Sequence, residues 1–218
     1  MMTAPRLVAH PPKAAALPGF EHVRRFWSPH AGAWAAKILP GEYFVTREPE
    51  VITTILGSCI AACIRDPVCG AGGMNHFMLP EDQSVGRNAW LEGAGSLATR
   101  YGSHAMESLI NALMKLGAER SRLEVKLFGG GRILAGMSDV GAQNIEFVRR
   151  YLRLEGFRIA AEDMGADCPR HVEYYPQTGV VRLKRLKALG ARDIADQETR
   201  YRTSLTVPAP KDDVELFD

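Results

Sequence analysis

Residues 51–80 have the sequence VITTILGSCIAACIRDPVCGAGGMNHFMLP, and this segment sets the type of fold. Apolar runs of strand length alternate with turn residues, which indicates consecutive β-strands. The strands are predicted at Val51–Leu56, Cys59–Arg65 and Gly73–Leu79. Asp66-Pro67-Val68-Cys69 suits a tight turn, because proline presets the backbone angle of the second turn position. We therefore predict a hairpin across this turn.

The predicted hairpin brings a cysteine and a histidine together. If Asp66 pairs with Cys69, Cys59 lies directly opposite His76, and their Cβ atoms are about 5 Å apart. A free thiol titrates near pH ~8.5 and attacks poorly, whereas an adjacent imidazole takes its proton and stabilises the thiolate. We predict Cys59 as a nucleophile with His76 as its base. The pKa of Cys59 is then expected to lie below that of a free thiol, and Cys59 should react before the other three cysteines.

Backbone and side-chain groups near the cysteine complete the predicted catalytic site. Gly57 and Ser58 allow a sharp bend that aims N–H groups at the oxygen of a tetrahedral intermediate. A third group must hold the imidazole in its working tautomer. The nearby hydroxyl and amide candidates are Thr53, Thr54, Ser58 and Asn75.

Two other interpretations of the same residues stay open. Buried cysteines are commonly small inert hydrophobes, so Cys59 can be purely structural. Cys59, Cys63 and His76 can also be combined into a metal site. However, a C-x3-C spacing with one histidine lacks the paired C-x2-C pattern of structural zinc. We therefore expect no metal and no cofactor.

The remaining pattern predicts two amphipathic helices and further strands. Apolar residues at helical spacing indicate a helix at Arg100–Leu116, before Gly117, and a second one from Ser138 or Asp139 to Gly156. Other strands are predicted at Tyr43–Thr46, Leu123–Phe128, Arg158–Ala161, and in a hairpin of His171–Tyr175 with Val180–Leu186. Strands outnumber helices and the early ones are consecutive. We predict a single-domain α+β fold with a mixed or antiparallel sheet and two main amphipathic helices.

Composition excludes several classes of protein. The 218 residues carry a formal charge of +2, which is too near balance to favour a nucleic-acid partner. No stretch approaches the ~20 apolar residues of a membrane span, and prolines interrupt any signal-peptide core near the N-terminus. Four cysteines do not resemble a secreted disulfide framework. We expect a cytoplasmic protein without membrane insertion.

The chain is expected to consist of one folded unit with two extensions. Residues 1–35 mix proline, alanine, histidine and arginine without a sustained period, and residues 191–218 are polar. Such segments tend to lie off the core. We predict a flexible N-terminal extension at 1–35, a single catalytic domain at 36–190 and a polar C-terminal tail at 191–218.

A set of motifs runs through the predicted domain. They are TTILGSC at 53–59, DP at 66–67, GGMNHFMLP at 72–80, LFGGG at 127–131, GAQN at 141–144 and AED at 161–163. Together they resemble the signature of the chemoreceptor glutamine deamidases, the CheD family of bacterial chemotaxis. The resemblance covers about residues 38–187, and its central motif is long and specific.

The resemblance implies an activity and a set of site residues. It implies an amidohydrolase that converts particular glutamines of methyl-accepting chemoreceptors to glutamate, with methyl-ester hydrolysis in some members. By motif position it places the nucleophile on Cys59, the base on His76 and the third member on Thr53. The fold that it implies is a single-domain α/β sandwich. The implied partners are the cytoplasmic domains of these receptors. Since some members bind a phosphatase of the chemotaxis response regulator, a non-catalytic partner of such a phosphatase is the alternative function.

Overall fold

The computed structural model describes residues 11–80, 97–133, 140–186 and 191–206. A short 3-10 turn at Arg120–Arg122 follows the first helix. In chain order the strands are β1 Arg24–Ser28, β2 Ala33–Lys37, β3 Tyr43–Thr46, β4 Val51–Leu56, β5 Ile60–Asp66, β6 Ala71–Asn75, β7 Glu124–Gly129, β8 Ile159–Met164, β9 Arg170–Tyr175 and β10 Val180–Arg185, and the helices are α1 Leu97–Lys115, α2 Val140–Leu154 and α3 Ala191–Thr206.

The strands form two five-stranded sheets. The first has the order β1-β2-β4-β9-β10 and the second the order β3-β6-β5-β7-β8. Both are mixed, because β2 pairs with β4, and β7 with β8, in parallel while the other pairs are antiparallel. Helices α1 and α2 pack on the second sheet, and buried residues of both sheets share one hydrophobic core. The predicted α+β sandwich is confirmed.

The β5–β6 hairpin is present, but its register differs by two residues from the predicted one. Asp66 pairs with Ala71 rather than with Cys69. The Asp66 carboxylate accepts hydrogen bonds from the N–H groups of Val68 (2.9 Å) and Cys69 (3.3 Å), which holds a longer turn. A shift of two residues leaves every side chain on its predicted face of the sheet, because side chains alternate with a period of two.

This register places the cysteine and the histidine diagonally. The ladder continues through a bridge in which Ile60 and Phe77 exchange two hydrogen bonds of 2.9 Å. Cys59 and His76 flank that bridge on the same face, instead of lying directly opposite each other. Diagonal neighbours remain within reach of long side chains.

The other predicted elements lie close to their predicted bounds. The hairpin across Pro176–Gly179 is confirmed, with Tyr175 opposite Val180. Ser138 and Asp139, which were predicted to begin the second helix, lie outside the described residues. None of the helices within the described ranges is long and apolar enough to span a membrane.

Two strands form where the sequence predicts the N-terminal extension. β1 and β2 pair with each other, and β2 joins β4 in the first sheet. Trp27 lies opposite Trp34 with the rings edge to face at 6.0 Å, and the buried side chain of Arg25 forms an ion pair with Glu50. Local periodicity does not reveal such cross-strand and long-range contacts. The ordered sheet thus starts before residue 36.

A third helix, α3, forms within the predicted polar tail. Most of its side chains are polar, yet Ala195 and Glu198 are buried, and Tyr201 hydrogen-bonds the phenol of Tyr101 on α1. These three positions of α3 are three residues apart and make one narrow stripe along the helix. So narrow a stripe is hidden by the polar composition of the segment.

Candidate active site

The link between β4 and β5 forms a braced bend that carries Cys59. The N–H groups of Gly130 and Gly131 donate to the carbonyls of Cys59 and Gly57, each at 2.7 Å. Gly129 has φ +114°, and a Cβ there would lie 2.0 Å from the carbonyl oxygen of Cys59. Only glycine allows this approach. Residues Gly129, Gly130 and Gly131 therefore hold the cysteine bend in place through close backbone contacts.

Two buried polar side chains fix the surroundings of this bend. Asn144 on α2 donates to the carbonyl of Ser58 (2.8 Å) and accepts from the N–H of Leu79 (2.9 Å). It thereby ties the cysteine bend to the segment that follows His76. Arg170 at the start of β9 donates to the carbonyl of Gly129 at 2.6 Å. Neither residue was predicted as part of the site, although Asn144 belongs to the GAQN motif.

His76 is held at both its backbone and its ring. Its N–H donates to the carbonyl of Glu42 (2.9 Å), and its ring Nδ1 lies 2.8 Å from Oγ1 of Thr54. The Thr54 hydroxyl donates its only proton to the carbonyl of Ile38 at 2.8 Å. Thr54 must therefore accept a hydrogen bond from Nδ1–H, which leaves Nε2 as the bare nitrogen. That nitrogen is buried and has no hydrogen-bond partner among the described residues.

Thr53, the third member implied by the resemblance, does not contact His76 in the structure. Its Oγ1 lies 2.7 Å from Nε2 of His171 on β9. Neighbouring residues of a strand point to opposite faces, so Thr53 and Thr54 of β4 cannot both face the histidine. The contact expected of Thr53 is thus corrected to Thr54.

The sulfur, the imidazole and an unexpected carboxylate meet at one point. Sγ of Cys59, a ring nitrogen of His76 and a carboxylate oxygen of Glu198 all lie within 4.8 Å of one another. All three side chains are buried. The sequence predicted the first two as a pair and missed Glu198, which comes from α3 in the predicted tail. Cys63, the further metal-ligand candidate, is not part of this cluster.

The backbone bend presents its N–H groups to Glu198. Gly57 (2.8 Å) and Cys59 (3.3 Å) donate to Oε1, while the N–H (2.7 Å) and hydroxyl (2.6 Å) of Ser58 donate to Oε2. Three consecutive N–H groups that converge on one anion form a backbone anion site. The predicted support residues Gly57 and Ser58 lie at this point.

The carboxylate is better suited to these donors than to a metal ion. Each of its two oxygens already accepts two hydrogen bonds, which uses the lone pairs that a cation would need. Cys59, His76 and Glu198 would provide three protein ligands, one fewer than a structural zinc site has. Within the described residues the cluster is thus best described as a thiol, an imidazole and a hydrogen-bonded carboxylate.

Burial and charge set the protonation of the pair. Burial raises the pKa of the Cys59 thiol well above its usual range, and the negative charge of Glu198 raises it further. Burial lowers the pKa of His76 to about 4, against the opposing effect of Glu198. At neutral pH a neutral thiol therefore lies beside a neutral imidazole. The prediction of a lowered thiol pKa is wrong for this arrangement, because neither the depth of burial nor Glu198 was included in it.

These components are those of a cysteine hydrolase centre. A thiol lies within 4.8 Å of an imidazole nitrogen, a hydroxyl fixes the imidazole tautomer, and backbone N–H groups converge beside the thiol, as in the oxyanion sites of such enzymes. The arrangement can support proton transfer from sulfur to nitrogen and attack on a carbonyl carbon.

Comparison with known proteins identifies the family. Residues 78–185 match the family described as CheD chemotactic sensory transduction. A probable chemoreceptor glutamine deamidase CheD of Hahella chejuensis is 52% identical over 206 residues, which are 94% of this chain and 96% of that protein. Proteins of the same name from Halorhodospira halophila and Hydrogenovibrio crunogenus are 50% and 49% identical, over 92% and 87% of this chain and 93% and 97% of theirs.

The chain belongs to the CheD family. Its predicted membership is confirmed, and so is the enzyme class that the names of its relatives state. A solved structure, the Bacillus licheniformis hypothetical protein YfiH, aligns with a TM-score of 0.31 and 10% identity over 77% of this chain and 47% of that one, a likeness too slight to carry an argument.

Proposed function

We propose that this protein is a cytoplasmic, cysteine-dependent deamidase that converts glutamine side chains of methyl-accepting chemoreceptors to glutamate. It is supported by relatives named probable chemoreceptor glutamine deamidases, which are about half identical over nearly the whole chain. The observation that carries the mechanism is the buried Cys59, whose sulfur lies within 4.8 Å of a ring nitrogen of His76, together with the absence of a hydrogen-bond partner for Nε2 of His76 among the described residues. The function tunes the receptors by creating the glutamates on which methylation acts.

The first half of the reaction forms a thioester. Nε2 of His76 takes the proton of Cys59, and the thiolate attacks the amide carbon of the substrate glutamine. The resulting oxyanion accepts hydrogen bonds from N–H groups of the bend that contains Gly57 and Ser58. When the carbon–nitrogen bond breaks, the imidazolium gives its proton to the nitrogen and ammonia leaves.

The second half hydrolyses the thioester. A water molecule gives a proton to His76 and adds to the thioester carbon, the carbon–sulfur bond breaks, and Cys59 recovers its proton. Glutamate remains on the receptor. A methyl ester of glutamate would follow the same steps with methanol as the leaving group, so methyl-ester hydrolysis is included in the proposal.

Thr54 acts as the positioning residue in this scheme. Its hydroxyl donates to Ile38 and accepts from Nδ1–H of His76, which keeps the basic lone pair on Nε2. Motif position implies Thr53 for the third role, but the Thr53 hydroxyl hydrogen-bonds His171. We therefore assign the third role to Thr54 and a structural role to Thr53.

The test is direct conversion of receptor glutamines. Full-length protein is incubated with receptor cytoplasmic fragments, and peptide mass spectrometry maps amide-to-acid conversion. Cys59→Ala should abolish conversion, whereas Cys63→Ala, the same change at another buried cysteine, should keep it. Full conversion by a folded Cys59→Ala protein would reject the mechanism. If neither the wild type nor a Glu198→Ala variant converts any glutamine, the alternative function, a binding partner of a chemotaxis phosphatase, would be favoured.

A further inference from the structure

The Glu198 carboxylate lies in the place where the proposed reaction leaves its product. Deamidation turns a glutamine side chain into a glutamate side chain, and Glu198 presents that same side chain to Cys59. Its oxygens accept from the N–H groups of Gly57, Ser58 and Cys59 at 2.7 to 3.3 Å. A Cβ on Gly57 would lie 2.8 Å from Oε2, so the bend closes tightly around the carboxylate.

We propose that the Gly57–Cys59 bend and the Ser58 hydroxyl form a carboxylate subsite for the glutamate product, and that Glu198 fills it as a tethered, product-like inhibitor. This inference rests on the proposed function. Helix α3 then holds the protein in a resting state, and a substrate glutamine enters only after α3 has moved away.

The docking of α3 suits a helix that can be displaced. Of the α3 side chains that the structure describes, only Ala195 and Glu198 are buried, and Tyr201 contacts the phenol of Tyr101 and lies over the bare backbone of Gly41. Elements with few buried apolar contacts open at low free energy. A receptor surface that competes for the same bend would therefore replace α3 without unfolding the sheets.

The chemistry of Glu198 argues against a role as a catalytic group. Its charge raises the pKa of Cys59 and so opposes formation of the thiolate that the reaction needs. A group that activated the thiol would lower that pKa, and although Glu198 also raises the pKa of His76, burial outweighs this effect and the imidazole stays neutral at neutral pH. Its four hydrogen bonds also hold it on the donors that stabilise the oxyanion, so it must leave for the substrate oxygen to bind there.

The first test measures access to Cys59 and needs no receptor. Wild type, Glu198→Ala and the control Asp196→Ala, which changes an exposed carboxylate of the same helix, are treated with limiting iodoacetamide with and without EDTA. If Glu198 occupies the site most of the time, its removal should speed labelling of Cys59 about tenfold or more, while Asp196→Ala matches the wild type. Equal rates in all three proteins would overturn the proposal, and so would wild-type protection that EDTA abolishes, since a metal would then hold the site.

The second test measures conversion of receptor fragments by the same proteins. Glu198→Ala should be faster than the wild type, and Asp196→Ala should equal it. Slower conversion by a folded Glu198→Ala protein would overturn the proposal, because Glu198 would then assist the reaction. If none of the proteins converts glutamine but the labelling difference persists, the proposed function fails while the blocking contact is supported.

Two further measurements keep the proposal open to refutation if Glu198→Ala folds poorly. Tyr201→Phe removes the phenol contact of α3 and should speed Cys59 labelling in the same direction, by a smaller factor. In any variant with accelerated labelling, high concentrations of N-acetylglutamate amide should protect Cys59 more than N-acetylglutamine amide does. Absence of that difference would overturn the carboxylate subsite.

Discussion

A buried carboxylate lies near each end of strand β5, and the two are held in different ways. At the C-terminal end, Asp66 accepts three hydrogen bonds of 2.7 to 3.1 Å from the guanidinium of Arg122, and one of 2.9 Å from the N–H of Glu119. At the N-terminal end, Glu198 is held by N–H groups and a hydroxyl beside Cys59. A cation therefore neutralises the first carboxylate, whereas the contacts found for the second within the described residues are dipolar.

The difference separates a structural charge from a functional one. The Arg122 guanidinium holds the pKa of Asp66 well below its usual range, so this ion pair stabilises the hairpin turn at neutral pH. At the other site, burial and the negative charge of Glu198 both raise the pKa of Cys59, so the thiol is protonated at neutral pH. We expect substitutions at the Asp66 end to change stability and substitutions at the Cys59 end to change activity.

The largest effect is expected for the proposed catalytic pair. Cys59→Ala and His76→Ala should each lower the rate of deamidation by about 10⁴-fold, and the double variant should lose little more, because both residues serve one step. Steady-state rates on receptor fragments measure this, with circular dichroism as the control for folding. Additive losses would show that the two residues have separate roles.

At the other end of β5, Asp66→Asn should lower the free energy of unfolding by about 2–3 kcal/mol, because buried hydrogen bonds to a charged group are lost. Deamidation should be unchanged at temperatures where the variant is folded. Glu124→Gln is the matched control: its pair with Arg65 is partly exposed, and we expect a loss below about 1 kcal/mol. Denaturant unfolding measures both.

The stabilising effect of Asp66 should depend on pH in a defined direction. A lowered carboxyl pKa contributes stability that is complete above the unfolded pKa, near ~4, and is lost as pH falls through the folded pKa. The difference in free energy of unfolding between wild type and Asp66→Asn should therefore become smaller as pH falls below about 4. A gap that is constant down to low pH would mean that the charge of Asp66 does not stabilise the turn.

Thr54→Ala should lower the turnover number by about 10- to 100-fold, since it releases the tautomer of His76. Thr54→Ser keeps the hydroxyl and should recover most of the rate. Thr53→Ala, the control at the neighbouring position, should be mild because its hydroxyl bonds His171. The opposite order would return the third role to Thr53.

The sequence was sufficient for the parts of the fold that are set by local patterns. β3 and β4 have their predicted bounds, because apolar runs are flanked by turn residues on both sides. The pairing of Cys59 with His76 was predicted from the hairpin even though the register was two residues off. An even shift preserves the face of each side chain, and a shift of only two leaves the pair as diagonal neighbours, so the predicted proximity survived the error in turn length.

The parts that were missed depend on contacts between distant segments. The choice between Thr53 and Thr54 is decided by which face of β4 meets His76, and both hydroxyls are present in the sequence. Glu198 is 139 residues from Cys59 and lies on a mostly polar helix. The only local signal was the spacing of Ala195, Glu198 and Tyr201, which is too sparse to predict a buried face.

The smallest and most specific effect concerns the pH profile of thiol labelling. In the wild type Cys59 is buried and next to Glu198, both of which raise its pKa, so its labelling should rise only at a pH above that of a free thiol. Half-buried Cys69 and Cys168 should react first, contrary to the expectation from sequence. Mass mapping of iodoacetamide adducts across pH gives the midpoint for each cysteine.

Removing Glu198 tests how much its charge, as distinct from burial, raises the pH midpoint of Cys59 labelling. Glu198→Ala removes the negative charge and opens the site, so the midpoint for Cys59 should fall, and adding His76→Ala should raise it again because the imidazole no longer accepts the proton. Cys63 lies inside β5, and burial is the main cause of its raised pKa. It should stay unlabelled in every folded variant, so labelling of Cys63 would reveal unfolding. An unchanged midpoint in Glu198→Ala, with Cys63 still protected, would mean that burial alone keeps Cys59 protonated. The carboxylates of Asp66 and Glu198, near opposite ends of β5, would then have different hydrogen-bond partners, but neither would control the protonation of Cys59.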